Sequence, residues 1–284
     1  MRDMLDSHPD MRCGRESAII RQIVLWRNEW LKDVSDSSNL FQESLDPAIG
    51  AFILEFLRIH NQGARLTCCR DAGLANFIDY LHRLFPNIKF IYMIRDGRAH
   101  AHSMVKRGYK YDNLTNKQDF SFFLSNWQSS VNSQYAQCKR AGPHSCMPVF
   151  YEQLVLHPEG TMRNVSSFLG IDFDPAVLSH EKQVGDKVEV SKQGWSSSQI
   201  IKPVNLEALD DWYGKIPVDV IAQMDIVAPM LRTLGYDPSD QRPYYGEPDD
   251  RVKKNSLLIK ENSEQWKKFD KNYGPKVSNI QNSN

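Results

Sequence analysis

The sequence has no excess of charge of either sign and no long apolar run. Its 35 Lys and Arg residues are matched by 35 Asp and Glu residues, so no extended nucleic-acid surface is expected and any basic site must be local. No apolar stretch approaches the roughly 18 residues that a membrane-spanning helix needs. We see no internal repeat. A hydrophobic share of 41% over 284 residues is typical of a globular protein with one large domain or two small ones.

Cysteine and histidine are not arranged as in a metal site. None of the five Cys residues has the paired CxxC spacing of a zinc site. His100 and His102 are two positions apart and do not share a helix face, so we expect no metal. Cys138 and Cys146 flank a short, turn-rich loop, which suits a local disulfide.

The remaining cysteines leave two interpretations open. Cys13 can pair with Cys68 or with Cys69, which leaves one thiol over. Alternatively, all five cysteines are reduced, as is usual in a cytosolic protein. The triplets that begin at Asn113 and Asn164 match the glycosylation sequon, a pattern that is also common by chance.

Short apolar stretches alternate with helical patterns along the chain. We predict strands over residues 65–69, 89–94 and 147–151, where apolar and β-favouring side chains cluster. This alternation predicts an α/β fold with a parallel sheet, in which ligands lie at the carboxyl ends of the strands. We expect residues 1–248 to form the domain and the polar residues 249–284 to be a loosely packed or disordered tail. The predicted helices cover residues 15–30, 47–60, 71–84, 97–107, 119–139, 158–169, 205–212 and 217–234.

Several helix ends carry local signals. Asp46 is a predicted N-cap because Pro47 follows it and suits the first helical position. Asp71 and Asn205 are predicted N-caps of two further helices. Gly170 is the predicted stop of the helix that starts at Pro158.

The strongest functional pattern follows the strand at residues 89–94. There an apolar run ends in Arg95-Asp96-Gly97-Arg98 and a helical pattern begins, with Ser103 and Arg107 four residues apart on one face. Cations and a hydroxyl beside a helix N-terminus predict a phosphate site that has no Gly-rich loop. The alternative is a solvated helix face with a salt bridge between Asp96 and an arginine.

Three further candidates are weak when taken alone. The segment 196–205 carries hydroxyls, a lysine and a proline that suit nucleotide binding, but a surface loop has the same composition. Glu16 suits a general base if burial raises its pKa, although an exposed first-turn glutamate is the ordinary interpretation. Tyr151 at a strand end is either core packing or the edge of a ligand site.

Taken together, these segments resemble the protein-tyrosine sulfotransferases. The resemblance covers residues 1 to about 248. It implies the sulfotransferase α/β fold, related to nucleotide kinases, with helices around a parallel sheet. It also implies transfer of a sulfuryl group from 3′-phosphoadenosine 5′-phosphosulfate (PAPS) to tyrosines of secreted and membrane proteins in the Golgi, by a homodimer and without a metal. The matching segments are LDSHPDMRCGRES (5–17), YLHRLFPNIKFIYMIRDGRAHAHSMVKR (80–107), YAQC (135–138), PVFYEQLVLHP (148–158), QIIKPVNLEAL (199–209) and APMLRTLGYDP (228–238).

The resemblance assigns a role to each candidate. Glu16 corresponds to the catalytic base, and Ser196 to a hydroxyl that holds the donor and assists transfer. Arg95, Ser103 and Arg107 correspond to the site of the 3′-phosphate. The remaining donor contacts correspond to Tyr151 and to Ser196, Ser197, Ser198, Gln199, Ile200, Ile201, Lys202, Pro203, Val204 and Asn205. The family's two disulfides correspond to Cys13–Cys68 and Cys138–Cys146, which leaves Cys69 as the free thiol.

The sequence departs from the family pattern at specific positions. Arginines that bind acidic substrate peptides correspond to Ala18 and Gln22, with Arg21 adjacent as the remaining substrate-binding candidate. The family's Asn-Lys-Asp-Pro reads Cys-Arg-Asp-Ala here, so Arg70 becomes the candidate transition-state stabiliser. A lysine that contacts the cofactor corresponds to Asp211.

One family element is missing from these 284 residues. Relatives carry a Pro-Arg-Ser-Gly-Thr-Thr-like loop upstream of the segment that corresponds to Arg2–His8, and its N–H groups bind the 5′-phosphosulfate. From the sequence we therefore expect an N-terminally truncated form that turns over PAPS negligibly. The alternative is a non-catalytic relative that binds peptides or partner proteins.

Overall fold

Four short strands form two parallel pairs. The structure is a computed structural model and describes residues 1–14, 18–33, 39–60, 63–108, 120–184, 188, 200–264 and 266. Strand β1 pairs with β2 through three residue pairs, from Met11 with Leu66 to Cys13 with Cys68. Strand β3 pairs with β4 through five, from Phe90 with Cys146 to Ile94 with Phe150. The strands are β1 (Met11–Cys13), β2 (Leu66–Cys68), β3 (Phe90–Ile94) and β4 (Cys146–Phe150).

Helices surround both strand pairs, which confirms the predicted parallel α/β class. Two 3₁₀ helices, Ala72–Phe77 and Pro175–Gln183, complete the elements of the described ranges. The α-helices are α1 (Arg2–Asp6), α2 (Ile19–Asp33), α3 (Asn39–His60), α4 (Ile78–Leu84), α5 (Gly97–Lys106), α6 (Phe120–Ala141), α7 (Tyr151–Leu156), α8 (Pro158–Leu169), α9 (Glu207–Asp210), α10 (Val218–Ile221), α11 (Met224–Val227), α12 (Met230–Thr233) and α13 (Asp250–Glu261).

The two strand pairs share one apolar cluster. Met11 and Val149 are buried in it, and Leu66 and Met93 pack against it. A larger cluster joins α5 and α6 to the segment after residue 212, with Trp212 at 1% exposure. Both pairs therefore belong to a single core, which places the carboxyl ends of all four strands on one body.

Both disulfides implied by the resemblance are present. Cys13 and Cys68, a register pair of β1 and β2, have Cα atoms 4.5 Å apart. Cys138 in α6 and Cys146 at the start of β4 have Cα atoms 5.3 Å apart. Cys69 is the free cysteine and is half-buried.

The predicted start of the third helix was wrong. Helix α3 begins at Asn39, so Pro47 lies inside it. The carboxylate of Asp46 accepts hydrogen bonds from Arg27 Nη2 at 2.9 Å and from the Tyr80 hydroxyl at 3.1 Å. These tertiary contacts replace the capping role that the local sequence indicates.

The helix predicted over residues 217–234 is divided into α10, α11 and α12. One break falls at Ala228, which adopts φ −136° and ψ 59° before Pro229. The residue before a proline is disfavoured in the helical region, so the chain interrupts the helix there. By contrast, α8 ends as predicted at Gly170, which has a left-handed φ of 72°.

The segment predicted as a loose tail contains the packed helix α13. Val252 and Ile259 are 0% and 3% exposed, and their spacing of seven places them on one helix face. The Leu206 N–H donates to Ser256 Oγ at 3.1 Å, which ties α13 to the domain. The expectation of a loose tail was therefore wrong for residues 250–261. In the described ranges, no helix is both long and apolar enough to cross a membrane.

Candidate active site

Two of the predicted site residues meet at neighbouring strand ends. Because Ile94 and Phe150 are register partners, the next residues, Arg95 and Tyr151, emerge side by side. The Arg95 guanidinium carbon lies 4.7 Å from the centre of the Tyr151 ring, and its Nη2 donates to the Ala208 carbonyl at 2.8 Å. Arg95 Nε is buried and has no hydrogen-bond partner among the described residues, so it is a donor suited to a ligand oxygen.

Helix α5 brings two more cationic or polar groups to the same place. Arg107 caps its C-terminus and its N–H donates to the Ser103 carbonyl at 3.2 Å. Burial, and then the charges of Arg95 and Arg107, lower the pKa of His100 to about 4. Burial raises the pKa of Tyr151, while the same two arginines oppose the rise. Both guanidinium groups thus act on both side chains.

We call Arg95, His100, Ser103, Arg107 and Tyr151 the anion cluster. Its positions in α5 follow a spacing of three and four residues, so they lie on one face. His100 is neutral at pH 7, and the net charge of the cluster comes from the two arginines. The chemistry of this set suits a phosphate-type dianion. His100 was missed as a site residue, although its helical spacing from Ser103 and Arg107 is visible in the sequence.

The alternative salt bridge exists, but it is buried and uses Arg98. The Arg98 and Asp96 side chains are 1% and 0% exposed, with Nη2 and Oδ2 2.7 Å apart. Arg98 also donates to the Asp237 carbonyl at 2.9 Å. Arg98 is therefore committed to the protein interior. Gly97 also lies in a tightly packed place, because a Cβ there would lie 2.5 Å from the Trp127 ring.

A second buried carboxylate connects the two strand ends. Glu152, next to Tyr151, accepts the Asp96 N–H at 2.9 Å and the Tyr236 hydroxyl at 2.8 Å. Burial raises the pKa of Glu152, and these hydrogen bonds oppose the rise. The Tyr245 hydroxyl donates to Asp96 at 2.8 Å. We call Asp96, Arg98, Glu152, Tyr236 and Tyr245 the buried carboxylate network. It fixes the backbone from which Arg95 and Tyr151 project.

The segment predicted to complete the donor site is described from Ile200 onward, and Ser196, Ser197, Ser198 and Gln199 lie outside the described residues. Ile200, Ile201 and Pro203 are buried, and the Val204 carbonyl accepts a hydrogen bond from Asn255 at 2.9 Å. Lys202 is 7% exposed and pairs with Glu207 at 3.3 Å. Asn205 Oδ1 accepts the Glu207 N–H at 3.1 Å, as expected of a helix cap.

A surface cavity of about 470 Å³ adjoins this segment. Helix α9 contacts both this cavity and the anion cluster. Glu207 lines the cavity, and the Ala208 carbonyl accepts a hydrogen bond from Arg95. The lining residues are Lys202, Glu207, Ser256, Ile259, Lys260, Ser263 and Trp266.

The substrate-side candidates lie near the end of β2. Arg21 Nε is 3.1 Å from Asp71 Oδ2, and Asp71 also accepts the Gly73 N–H at 2.8 Å, which confirms its capping role. Arg70 directly precedes Asp71 in the chain, at the same strand end. Glu16 lies outside the described residues, and its role stays a prediction.

No metal cluster is present in the part of the chain that the structure describes. There, no three His, Cys, Asp or Glu side chains are grouped so as to hold a metal ion.

Comparisons with known proteins show which family the chain resembles. Residues 1–175 match the model of the sulfotransferase family. Protein-tyrosine sulfotransferase A of Caenorhabditis elegans is 41% identical over 273 residues, which span 94% of this chain and 72% of that protein. Protein-tyrosine sulfotransferase 2 of Gallus gallus is 43% identical over 266 residues, or 91% of this chain and 71% of the relative.

Solved structures share the fold. The sulfotransferase domain from the curacin biosynthetic pathway superposes with a TM-score of 0.58 at 15% identity, covering 83% of this chain and 92% of that domain. The sulfotransferase domain of the Synechococcus PCC 7002 olefin synthase gives 0.57 at 19% identity, over 83% of this chain and 89% of that domain. At such identities the likeness speaks for the fold alone. By the extent and identity of its curated relatives, this chain belongs to the protein-tyrosine sulfotransferase family.

Proposed function

We propose that the protein transfers a sulfuryl group from PAPS to tyrosine hydroxyls of protein substrates. The observation that carries the proposal is the anion cluster, in which the charges of Arg95 and Arg107 both act on the half-buried His100 and Tyr151. A 3′-phosphate is the dianion that distinguishes PAPS from ordinary adenine nucleotides. The orphan Nε of Arg95, together with Ser103 and Arg107, is suited to its oxygens.

The reaction needs positioning, anion stabilisation and a base. The phenolic oxygen attacks sulfur while the bond from sulfur to the phosphate oxygen breaks, and adenosine 3′,5′-bisphosphate (PAP) leaves. We assign Glu16 to accept the phenolic proton. Ser196 and Arg70 are assigned to stabilise the charge on the transferring group, and Arg21 to contact the substrate peptide.

Binding of PAP tests the donor site directly. Calorimetry on the 284-residue chain compares PAP with adenosine 5′-phosphate (AMP), which lacks the 3′-phosphate. We expect PAP to bind more tightly and Arg107→Ala to weaken PAP by roughly 10- to 100-fold with little effect on AMP, since a charged hydrogen bond contributes about 1.5–3 kcal/mol. Arg163→Ala, which removes an exposed pair with Glu159, is the control. Equal affinity for PAP and AMP would contradict the assignment.

Label transfer tests the chemistry. A fusion that places the upstream residues of the Gallus gallus relative ahead of Met1 is compared with the 284-residue chain, and both are given ³⁵S-PAPS and a tyrosine peptide. We expect transfer to the tyrosine peptide, none to its Tyr→Phe version, and loss of transfer in Glu16→Gln with PAP binding intact. Transfer by Glu16→Gln at the original rate would rule out Glu16 as the base.

We further propose that the protein works in the Golgi lumen. The two disulfides suit an oxidising compartment, and the sequon residue Asn164 is exposed on α8. To test this, the protein is expressed through the secretory pathway and treated with an N-glycosidase, and its mass should fall. No shift, together with reduced cysteines, would place it elsewhere.

A homodimer is the proposed assembly. Trp26 and Trp30 of α2 stack with ring centres 4.8 Å apart and are 49% and 38% exposed, an apolar surface suited to a partner. Light scattering should give twice 32.8 kDa, and Trp26→Glu should give the monomer. An exposed control, Ile226→Glu, should leave the dimer intact.

The non-catalytic alternative has some support in the sequence. By the family resemblance, Asp211, Ala18 and Gln22 correspond to positions of basic residues. A binding protein has no evident need for the anion cluster, so we favour the enzyme. Peptide binding without any dependence on PAP would favour the alternative.

A further inference from the structure

Asp211 binds two lysines and lies close to a histidine. Its Oδ2 is 2.7 Å from Lys106 Nζ and its Oδ1 is 2.9 Å from Lys215 Nζ. His102 Nδ1 lies 3.8 Å from Oδ2. Partial burial would raise the pKa of Asp211, but the hydrogen bonds from both lysines outweigh it and lower that pKa to about 2. The carboxylate is therefore ionised at any working pH.

The positions of its partners and of Ala208 in the chain put this carboxylate near Arg95. Lys106 directly precedes Arg107 in the chain. Ala208, whose carbonyl accepts the Arg95 hydrogen bond, lies one helical turn before Asp211. His102 is affected by both Arg95 and Asp211. Burial and the charge of Arg95 lower its pKa, while Asp211 opposes that change. Asp211 thus shares an environment with Arg95 of the anion cluster.

The charge pattern has a direct consequence for an incoming dianion. Asp211 adds one negative charge close to the place where the 3′-phosphate would bind. It also engages Lys106 and Lys215, which are 61% and 50% exposed in their side chains and otherwise within reach of a neighbouring anion. Both effects act in the same direction.

We propose that Asp211 is a specificity-determining residue that competes with the donor's 3′-phosphate for the cations of this site and thereby weakens donor binding. The inference rests on the proposed function and deepens it. It assigns to this chain a lower affinity for 3′-phosphonucleotides than its arginines alone would give.

Calorimetry with PAP and AMP on Asp211→Asn tests the inference. We expect the variant to bind PAP more tightly, by roughly 5-fold or more, because the substitution removes a negative charge from the surroundings of Arg95. AMP should gain less, and the gain for PAP should shrink as salt rises from 0.05 to about 0.5 M. Asp225→Asn, which makes the same charge change at the exposed pair with Arg232, should bind PAP as the wild type does. Thermal unfolding of both variants checks that they remain folded.

The outcomes separate the two proposals. Tighter PAP binding by Asp211→Asn, but not by Asp225→Asn, supports the inference. If PAP binding depends on Arg107 while Asp211→Asn binds PAP equally or more weakly, the inference is wrong and the proposed function stands. A gain of the same size for AMP also overturns it, because the effect is then not on the 3′-phosphate. If neither the wild type nor the variant binds PAP, the donor site itself is wrong and both proposals fall.

Discussion

The two parallel strand pairs are held together in different ways. The β3–β4 pair has five residue pairs, and its carboxyl end rests on the buried carboxylate network. The β1–β2 pair has three residue pairs and a disulfide across the last of them. The difference follows from burial, because no residue of β2 is fully buried, whereas Tyr92, Ile94 and Val149 of β3 and β4 are. A strand with little apolar burial gains from a covalent link.

This contrast bears on function. The anion cluster projects from the pair whose backbone is fixed by buried charges, so its geometry is set before any ligand arrives. Preorganised donors of this kind stabilise an anion without reorganisation. Arg70 and the pair of Arg21 with Asp71 follow the disulfide-linked strand β2. The two halves should therefore respond differently to the loss of a charge and to reduction.

Removing the buried cation should have the largest effect. Arg98→Met leaves Asp96 and Glu152 buried without a positive partner, and loss of one member of a buried pair costs about 3–5 kcal/mol. Urea denaturation measures the change in the free energy of unfolding. Arg163→Met, at an exposed pair, should change it by less than about 1 kcal/mol. A cost below about 1 kcal/mol for Arg98→Met would mean that the network does not stabilise the β3–β4 end.

The disulfides should come next, in a fixed order. The Cys13–Cys68 bond closes a separation of 55 residues and the Cys138–Cys146 bond a separation of 8. The loop-closure estimate predicts a cost of roughly 3–5 kcal/mol for Cys13→Ala with Cys68→Ala, and less than about 3 kcal/mol for Cys138→Ala with Cys146→Ala. Urea denaturation of both double variants checks the order. The reverse order would show that the long loop does not govern the stability of the β1–β2 pair.

Local patterns predicted much of the fold, and tertiary contacts account for the failures. Three of the four described strands, β2, β3 and β4, were located to within one or two residues, because short apolar runs bounded by polar residues are a local signal. Strand β1 (Met11–Cys13) was missed, because it has only three residues and includes Arg12. Asp46 was misassigned as a cap because its partners, Arg27 and Tyr80, are distant in sequence. Helix α13 was missed because composition outweighed the spacing of Val252 and Ile259. Overall polarity thus hid a helix with one apolar face.

The features of the site also divide into those that local patterns predicted and those that depend on distant residues. Arg95, Ser103, Arg107 and Tyr151 were predicted from their positions at strand ends and on one helix face. The structure places Arg95 against the Tyr151 ring, and the role of the set as a phosphate site stays a prediction. The roles of Arg98 and Glu152 could not be predicted, because their partners at Asp237 and Tyr236 come from the far end of the chain. Sequence alone also left open which arginine pairs with Asp96.

The smallest predicted effect is a loss of stability at acid pH, to which His100 and His180 contribute separately. His100 has its pKa lowered from 6.5 to about 4 by burial and by Arg95 and Arg107. The unfolded chain therefore binds a proton that the folded chain does not between these values, and stability present above pH 6.5 is lost as pH falls toward 4. His100→Gln should remove roughly 2–3 kcal/mol of that loss, as measured by urea denaturation at pH 7 and pH 4.5.

His180→Gln, in the 3₁₀ helix at residues 175–183, removes a second histidine whose pKa burial lowers to about 4. Only the His100 contribution should shrink when PAP is added, because the 3′-phosphate would offset the two arginines beside it. An equal effect of PAP on both histidines would separate the acid response from the anion cluster.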